Sequence, residues 1–176
     1  MQTSYERSEE LIAVSLADRT RKVLASGGEI GGFAVSPDGA MVAVAWAAHR
    51  GISSQLRVLA IASGRVLATL GEENGSIRGA AWSRDGGTLF FSDRHALHAF
   101  LPADGSTRPV WSRAGNGPWD VAAAGDGPVA ILASGGPAKS YLLLRADGSG
   151  IRSTTIEANG KTLWLGGDRF VIETGW

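Results

Sequence analysis

A repeated turn motif constrains the fold of this chain more than any other feature of its sequence. The motif Ser-x-Asp-Gly occurs twice between short apolar runs, and its aspartates, Asp38 and Asp85, are 47 residues apart. A weaker copy has Asp126, 41 residues later, and a degenerate copy has Gly167 after a further 41 residues. Asp and Gly favour tight turns because Asp accepts hydrogen bonds from nearby amides and Gly tolerates positive φ. The spacing therefore predicts a structural unit that recurs along the chain.

Between these turns the chain repeats a second pattern, two apolar runs around a short polar turn. The four copies lie at residues 11–24, 56–70, 95–111 and 141–156. Short runs rich in Val, Ile, Leu and aromatic residues, bounded by Gly, Asp or Ser, are typical of β-strands. Each repeat therefore holds four antiparallel strands, and a four-stranded unit of about 40–45 residues is the blade of a β-propeller. The alternative is a β-sandwich with accidental spacing.

The pattern thus predicts an all-β fold, a propeller of four-stranded antiparallel blades with about four blades' worth of strands. The length of 176 residues suits one domain. We divide residues 1–176 into a half blade at 11–24, blades at 30–70, 77–111 and 118–156, and a second half blade at 161–174.

Two of the repeats resemble those of a known family. Residues 34–44 and 81–93 are similar to the Ser-Pro-Asp-Gly repeat of TolB-like, WD-repeat-like propellers, which also occurs in the N-terminal propellers of prolyl-oligopeptidase-type enzymes. The resemblance extends over residues 11–176, although the signatures of typical WD repeats are missing: Gly-His does not occur, and Trp119-Asp120 is a chance match because it opens an inner strand instead of ending a third one. It implies that the strands of each blade follow one another from a central channel to the rim. The first half blade would then supply two outer strands, and the last would supply two inner strands.

These complementary half blades leave three arrangements open. In the first, the two ends of one chain pair and close a four-bladed ring. In the second, two chains form an eight-bladed ring. In the third, the chain is part of a longer propeller. The third is favoured, because TolB-like rings usually have six or more blades and because an open end exposes unpaired strand edges.

Composition argues against several classes of function. The absence of cysteine excludes a disulfide framework, a thiolate metal site and a Cys nucleophile. The 17 basic and 17 acidic residues balance, which argues against nucleic acid or an anionic membrane as the main partner. No segment can span a bilayer. The polar N-terminus is not a signal peptide, so the sequence as it stands suggests the cytoplasm, whereas the resemblance suggests a periplasmic or exported protein with a truncated start.

The sequence contains no motif that carries catalysis. The nucleophile elbow Gly-x-Ser-x-Gly, the phosphate loop and the dinucleotide fingerprint are all missing. Each Asp-Gly turn offers one carboxylate, too few for calcium, so Asp38 and Asp85 are predicted to form turns. His95 and His98 lie on a predicted strand, where their spacing places them on opposite faces and argues against a shared metal. We therefore predict no catalytic residue, no metal site and no cofactor.

A ligand of such a scaffold is expected at the mouth of the channel, where the loops that join blades and the loops between their second and third strands meet. Charged residues of both signs collect in these loops, which suits a protein or peptide partner better than a polyanion. Trp119, near the start of an inner strand, is a candidate for stacking on a ligand, although core packing is its more usual role. The predicted binding residues are Arg50, Glu72, Arg78, Asp93, Arg94, Trp119, Asp120 and Lys139.

Three functions remain open at this stage. The first is a non-catalytic propeller that acts as a protein- or peptide-binding scaffold, as the TolB-like resemblance implies. The second is a fragment of the substrate-gating propeller of a prolyl-oligopeptidase-like serine hydrolase, whose catalytic domain lies outside this chain. The third, a lactonase-like enzyme with its site in the channel, is the weakest, because Asp120 and Glu29 are too few carboxylates.

Overall fold

A computed structural model gives the fold as a series of antiparallel β-strands. It describes residues 9–47, 54–71, 76–77, 79–93, 95–112, 118–123, 129–133, 139–144, 152–156, 162–166 and 169–172. Within these ranges there is no helix, and so no helix that could cross a membrane. The strands are β1 (Glu9–Val14), β2 (Arg21–Val35), β3 (Met41–Ala47), β4 (Gln55–Ala60), β5 (Val66–Leu70), β6 (Gly79–Trp82), β7 (Leu89–Ser92), β8 (Ala96–Leu101), β9 (Ser106–Ser112), β10 (Pro118–Ala123), β11 (Val129–Ala133), β12 (Lys139–Leu144), β13 (Arg152–Ile156), β14 (Thr162–Gly166) and β15 (Arg169–Ile172).

Consecutive strands pair into separate sheets, which we call blades. The first blade is β2–β5, with β1 added on the other side of β2, the second is β6–β9 and the third is β10–β13. The last two strands, β14 and β15, form a two-stranded sheet. The first strands of these sheets, β2, β6, β10 and β14, contact one another in succession, as the inner strands of a propeller do. The all-β propeller fold predicted from the repeats is confirmed, and the sheets are not closed into a ring.

Apolar side chains pack between the faces of successive blades. Strand β7 shows this most simply, because both of its faces are buried. Phe91 points to the first blade, where it packs in one cluster with Ala43 and Val58. Its neighbour Phe90 points the other way and packs with Val121 of the third blade. Both phenylalanines are almost fully buried, so each blade depends on the blades beside it for its core.

Trp82 joins the inner strands of the first two blades. Its side chain is buried in the cluster between them, and its indole Nε1 donates a hydrogen bond of 3.0 Å to the carbonyl oxygen of Ala34. Trp82 therefore packs between the first two blades. Trp111 is partly buried against the cluster between the second and third blades. The side chains of Trp119 and Trp164 lie outside the described residues.

The start of the chain differs from the expected pattern. The sequence suggests a loop at residues 26–29, whereas the structure has one 15-residue strand, β2, that continues through them. Its first part pairs with β1 and its second part with β3. The Glu9 carboxylate also accepts a hydrogen bond of 2.8 Å from the Ile30 amide, which ties β1 to the second part of β2.

The first part of β2 nevertheless folds back over a face of the first blade. The Lys22 ammonium donates a hydrogen bond to the carbonyl oxygen of Ala62, in the turn between β4 and β5. A straight β2 would carry Lys22 more than 20 Å away from that turn, at about 3.3 Å per residue. Gly27 has φ of 82°, which supplies the change of direction. Leu24 consequently packs on Val42. We call residues 9–28 the N-terminal hairpin.

The fold-back predicts that replacement by alanine affects the free energy of unfolding very differently at two nearby glycines. A β-carbon at Gly28 would collide with the carbonyl oxygen of Ala47 and would lie 2.7 Å from Nε1 of Trp46, whereas one at Gly31 would lie 3.7 Å from the β-carbon of Ala45. We expect Gly28→Ala to lower the free energy of unfolding by about 1–3 kcal/mol, the usual cost of overpacking. Gly31→Ala is the matched control, with an expected change within about 0.5 kcal/mol. Urea denaturation measures both, and equal losses would contradict the fold-back.

Candidate functional site

Each blade has two different edges. One edge, which we call the turn edge, carries the tight turns at residues 36–40, 61–65, 83–88 and 102–105. The opposite edge, the connection edge, holds the strand ends between which the chain passes from the second to the third strand of a blade or from one blade to the next. Because the strands are antiparallel and consecutive, all of these strand ends lie on the same edge.

The Ser-x-Asp-Gly motif closes the turns of the turn edge. In the first blade, the Ser36 hydroxyl donates to Oδ1 of Asp38 at 2.6 Å and accepts a hydrogen bond from the amide of Met41 at 2.9 Å. The same carboxylate oxygen accepts from the amide of Ala40 at 3.0 Å. One serine and one aspartate therefore bind the amides of Ala40 and Met41, while backbone hydrogen bonds between Ser36 and Gly39 and between Ser36 and Met41 complete the turn.

The second blade repeats this network 47 residues later. The Ser83 hydroxyl donates to Asp85 at 2.6 Å and accepts from the amide of Thr88 at 2.9 Å, while Asp85 accepts from the amide of Gly87 at 2.9 Å. The prediction that Asp38 and Asp85 form turns is confirmed. Both carboxylates serve the backbone, which explains the residue types of the motif.

These hydrogen bonds lower the pKa of the turn aspartates. The hydroxyl of the motif serine is the main cause of the lowered pKa for Asp38 and for Asp85, and the turn amide adds to it. Asp104 has a lowered pKa through Ser106, in the turn between β8 and β9. In the turn of the N-terminal hairpin, hydrogen bonds with Ser15 and Thr20 lower the pKa of Asp18 to about 2.

Asp93 organises the connection edge of the second blade. Its Oδ1 accepts hydrogen bonds from the amides of His95 and Ala96, both at 2.7 Å, and its Oδ2 lies 2.7 Å from Nε2 of His98. Burial raises the pKa of this carboxyl, but the two amides and the imidazole outweigh that effect, so that the pKa is lowered overall. Asp93 thus orders the connection and fixes the imidazole at the same time.

His98 is held on the face of the second blade that packs on the first. It lies opposite Phe91 in the sheet, and the two rings stack with centroids 5.0 Å apart and an angle of 18° between their planes. The side chains of Asp93 and His98 are both 22% exposed. Sequence reasoning missed this pair, because their five-residue separation spans the connection between β7 and β8. His95 lies exposed just before β8, and the described part of the chain holds no cluster of three metal-ligating side chains.

A second contact on the connection edge joins the first two blades. Ser54 and Ser76 form a parallel β-bridge, and the Ser54 hydroxyl accepts a hydrogen bond of 3.0 Å from the amide of Ile77. Ile77 is buried in the cluster between these blades. This tie fixes where the chain enters the second blade, and the sequence holds no signal for it other than the apolar Ile77 after a polar loop.

The described residues include only part of the predicted binding face. Asp93 is described with its side chain. Trp119 and Asp120 lie near the start of β10 and Lys139 begins β12, which places the backbone of all three at the connection edge. The other predicted residues lie outside the described ranges: Arg50, Glu72, Arg78 and Arg94. The binding face therefore stays a prediction.

Comparisons with known proteins agree with this architecture. No protein-family model matches the chain, and neither does any curated protein. Among solved structures, the chain is similar to a putative TolB from Agrobacterium tumefaciens, with 16% identity, a TM-score of 0.63 and coverage of 78% of this chain and 53% of that one. It is similar to the C-terminal WD40 domain of Sif2, with 13% identity, a TM-score of 0.61 and coverage of 90% and 46%.

A third similar structure is an enzyme. A puromycin hydrolase shares 18% identity with this chain at a TM-score of 0.65, and the match covers 83% of this chain and 25% of the hydrolase. The chain thus spans about half or less of each of these three structures. At these identities the likeness establishes the propeller fold.

The turn carboxylates predict that the protein loses stability in acid. A carboxyl whose pKa is lowered by folding stabilises the folded state above its unfolded pKa, and that contribution disappears as the pH falls through the folded pKa. We therefore expect the free energy of unfolding to fall between about pH 4 and pH 2, the interval from the ordinary aspartate pKa of 3.8 to the pKa of about 2 of Asp18. Asp85→Asn should make the free energy of unfolding depend less steeply on pH. The double variant Asp38→Asn, Asp85→Asn should reduce the slope further. Urea denaturation at a series of pH values measures it, and an unchanged slope in both variants would contradict the assignment.

Proposed function

We propose that this chain is a non-catalytic propeller module that binds a protein or peptide at its connection edge. The observation that carries the proposal is a structural difference between the two edges of the blades. On the turn edge, Asp38 and Asp85 are engaged by serine hydroxyls and backbone amides. Their lowered pKa makes them poor general acids and bases near neutral pH, which suits a structural role.

The connection edge has the properties of a recognition surface. Loops held on a rigid scaffold commonly carry binding residues, and here the scaffold is the stack of blades. Asp93 presents a partly exposed carboxylate that is fixed by two amides and by His98. The other charged residues of the predicted set include both acidic and basic side chains. This mixture favours a peptide that carries charges of both signs over a polyanion.

Selection from a random peptide library displayed on phage tests this proposal. We expect selected peptides whose dissociation constants, measured by calorimetry, rise at least about tenfold in Arg78→Ala, Arg94→Ala or Trp119→Ala, since hot-spot residues commonly contribute more than 1 kcal/mol. Arg65→Ala and Arg84→Ala are the matched controls, because both arginines are exposed on the turn edge. Changes below about twofold are expected there. Selection of no peptide, or equal effects at both edges, would contradict the proposal.

A second candidate is the substrate-gating propeller of a prolyl-oligopeptidase-like serine hydrolase. The observation that favours it is the match to the puromycin hydrolase, which covers most of this chain but a quarter of that enzyme. In this case the connection edge would admit substrate to a catalytic domain elsewhere in a longer polypeptide.

This second candidate predicts a nucleophile elbow, Gly-x-Ser-x-Gly, in the reading frame that contains this chain. The full product of that frame should react with a fluorophosphonate probe and become labelled on the serine of that motif. Replacement of that serine by alanine is the control and should abolish labelling. A frame without the motif, or a product that is not labelled, would rule the candidate out in favour of the binding module.

A further inference from the structure

An arginine of the first blade stacks on a tryptophan next to the connection edge. The guanidinium carbon of Arg57, on β4, lies 3.4 Å from the centre of the ring of Trp46, near the end of β3. Arg57 lies opposite Val44 in the sheet, and both share with Trp46 the face that is turned away from the second blade. A cation–π contact holds the guanidinium by its flat side, which leaves the N–H groups in its plane able to donate.

The N-terminal hairpin fixes the tryptophan in this position. A β-carbon at Gly28 would lie 2.7 Å from Nε1 of Trp46, so the backbone of the hairpin packs closely against that end of the indole. Nε1 is buried and has no hydrogen-bond acceptor among the described residues. A buried N–H group without an acceptor costs stability, so hydrogen bonding does not explain the position of this indole. The indole instead provides a flat surface on which Arg57 lies.

The repeat gives Arg57 a counterpart in the second blade. Val44 and Phe91 are 47 residues apart, like the aspartates of the turn motif. The third strand of each blade has a basic side chain opposite them, Arg57 in the first blade and His98 in the second. Both basic groups also stack on an aromatic ring, since His98 lies on Phe91 with centroids 5.0 Å apart.

The two blades differ in the carboxylate that accompanies the basic group. In the second blade, Oδ2 of Asp93 lies 2.7 Å from Nε2 of His98. The residue 47 positions before Asp93 is Trp46, which provides a ring but no carboxylate. The Glu9 carboxylate is bonded to a backbone amide of β2. Within the part of the chain that the structure describes, Arg57 therefore has its aromatic contact but neither a hydrogen bond nor an ion pair.

Two neutral polar side chains flank this arginine. Gln55 lies opposite Trp46, and Thr69 lies opposite Arg57 on β5, so both are on the same face of the blade. Gln55 and Arg57 are partly buried and Thr69 is exposed, so a ligand can reach the group from solvent. The amide of glutamine and the hydroxyl of threonine can both donate hydrogen bonds to an oxyanion.

We propose that Arg57 binds a carboxylate of the peptide partner. The planar guanidinium matches the two oxygens of a carboxylate, so the peptide would present an acidic side chain or a free C-terminus to it. Gln55 and Thr69 would flank the bound carboxylate, while Trp46 keeps the guanidinium in position. Arg57 would thus receive from the peptide what His98 receives from within the chain. This inference rests on the proposed function and names the chemistry of the peptide.

Titration of three short probes, followed by NMR of the full chain, tests the proposal. The probes are acetyl-Gly-Glu-Gly amide, acetyl-Gly-Gly-Gly with a free C-terminus, and acetyl-Gly-Gln-Gly amide as the neutral control. The reporter is the indole N–H signal of Trp46, which is assigned by its loss in Trp46→Phe. We expect a saturable shift with at least one carboxylate probe and a dissociation constant at least about tenfold higher for the neutral probe. The carboxylate probe that binds more tightly identifies the source of the carboxylate.

Two matched arginine variants locate the site. Arg57→Gln should raise the dissociation constant of the carboxylate probe at least about tenfold, because it removes the charge and the planar pair of donors. Arg65→Gln changes an exposed arginine on the turn edge and should alter that constant less than about twofold. Equal affinity for the acidic and neutral probes, no saturable shift with any probe, or equal effects of the two variants would overturn the inference.

The peptides selected from the phage library separate this inference from the proposed function. Peptides that bind the unchanged chain and Arg57→Gln with equal affinity would overturn the inference and leave the binding function intact. If no peptide is selected, the proposed function fails, and the titration of the three probes still decides whether Arg57 binds a carboxylate.

Discussion

Burial between the faces of neighbouring blades is the interaction on which the rest of this structure depends. A single four-stranded sheet such as the second blade has apolar side chains on both faces, as Phe90 and Phe91 show. It cannot bury both faces by itself, so it needs a blade on either side. Buried apolar area contributes roughly 25 cal/mol per Å², which makes these interfaces the main source of stability. The first blade has only part of one face buried, because the N-terminal hairpin covers Val42 but leaves Phe33 exposed.

The two edges of the blades are free to differ because the faces provide the core. On the turn edge, Ser36 with Asp38 and Ser83 with Asp85 make nearly the same hydrogen bonds, which shows that the motif is determined by backbone geometry. On the connection edge, Asp93 uses a different set of partners that includes His98. Segments that are not needed to close a turn can vary in length and charge, and this is where recognition by a rigid scaffold is usually found.

Local rules were enough to predict most of the fold. The turns around Asp38 and Asp85 were predicted because the motif and its geometry involve residues close in sequence. The same rules failed where contacts between residues on different strands determine the local structure. The two glycines at 27 and 28 predict a loop, yet the strand continues through them because Gly28 pairs with Glu9 of β1 and Glu29 pairs with Ala47 of β3. The pairing of Asp93 with His98 depends on how two strands are placed side by side, so spacing alone does not indicate it.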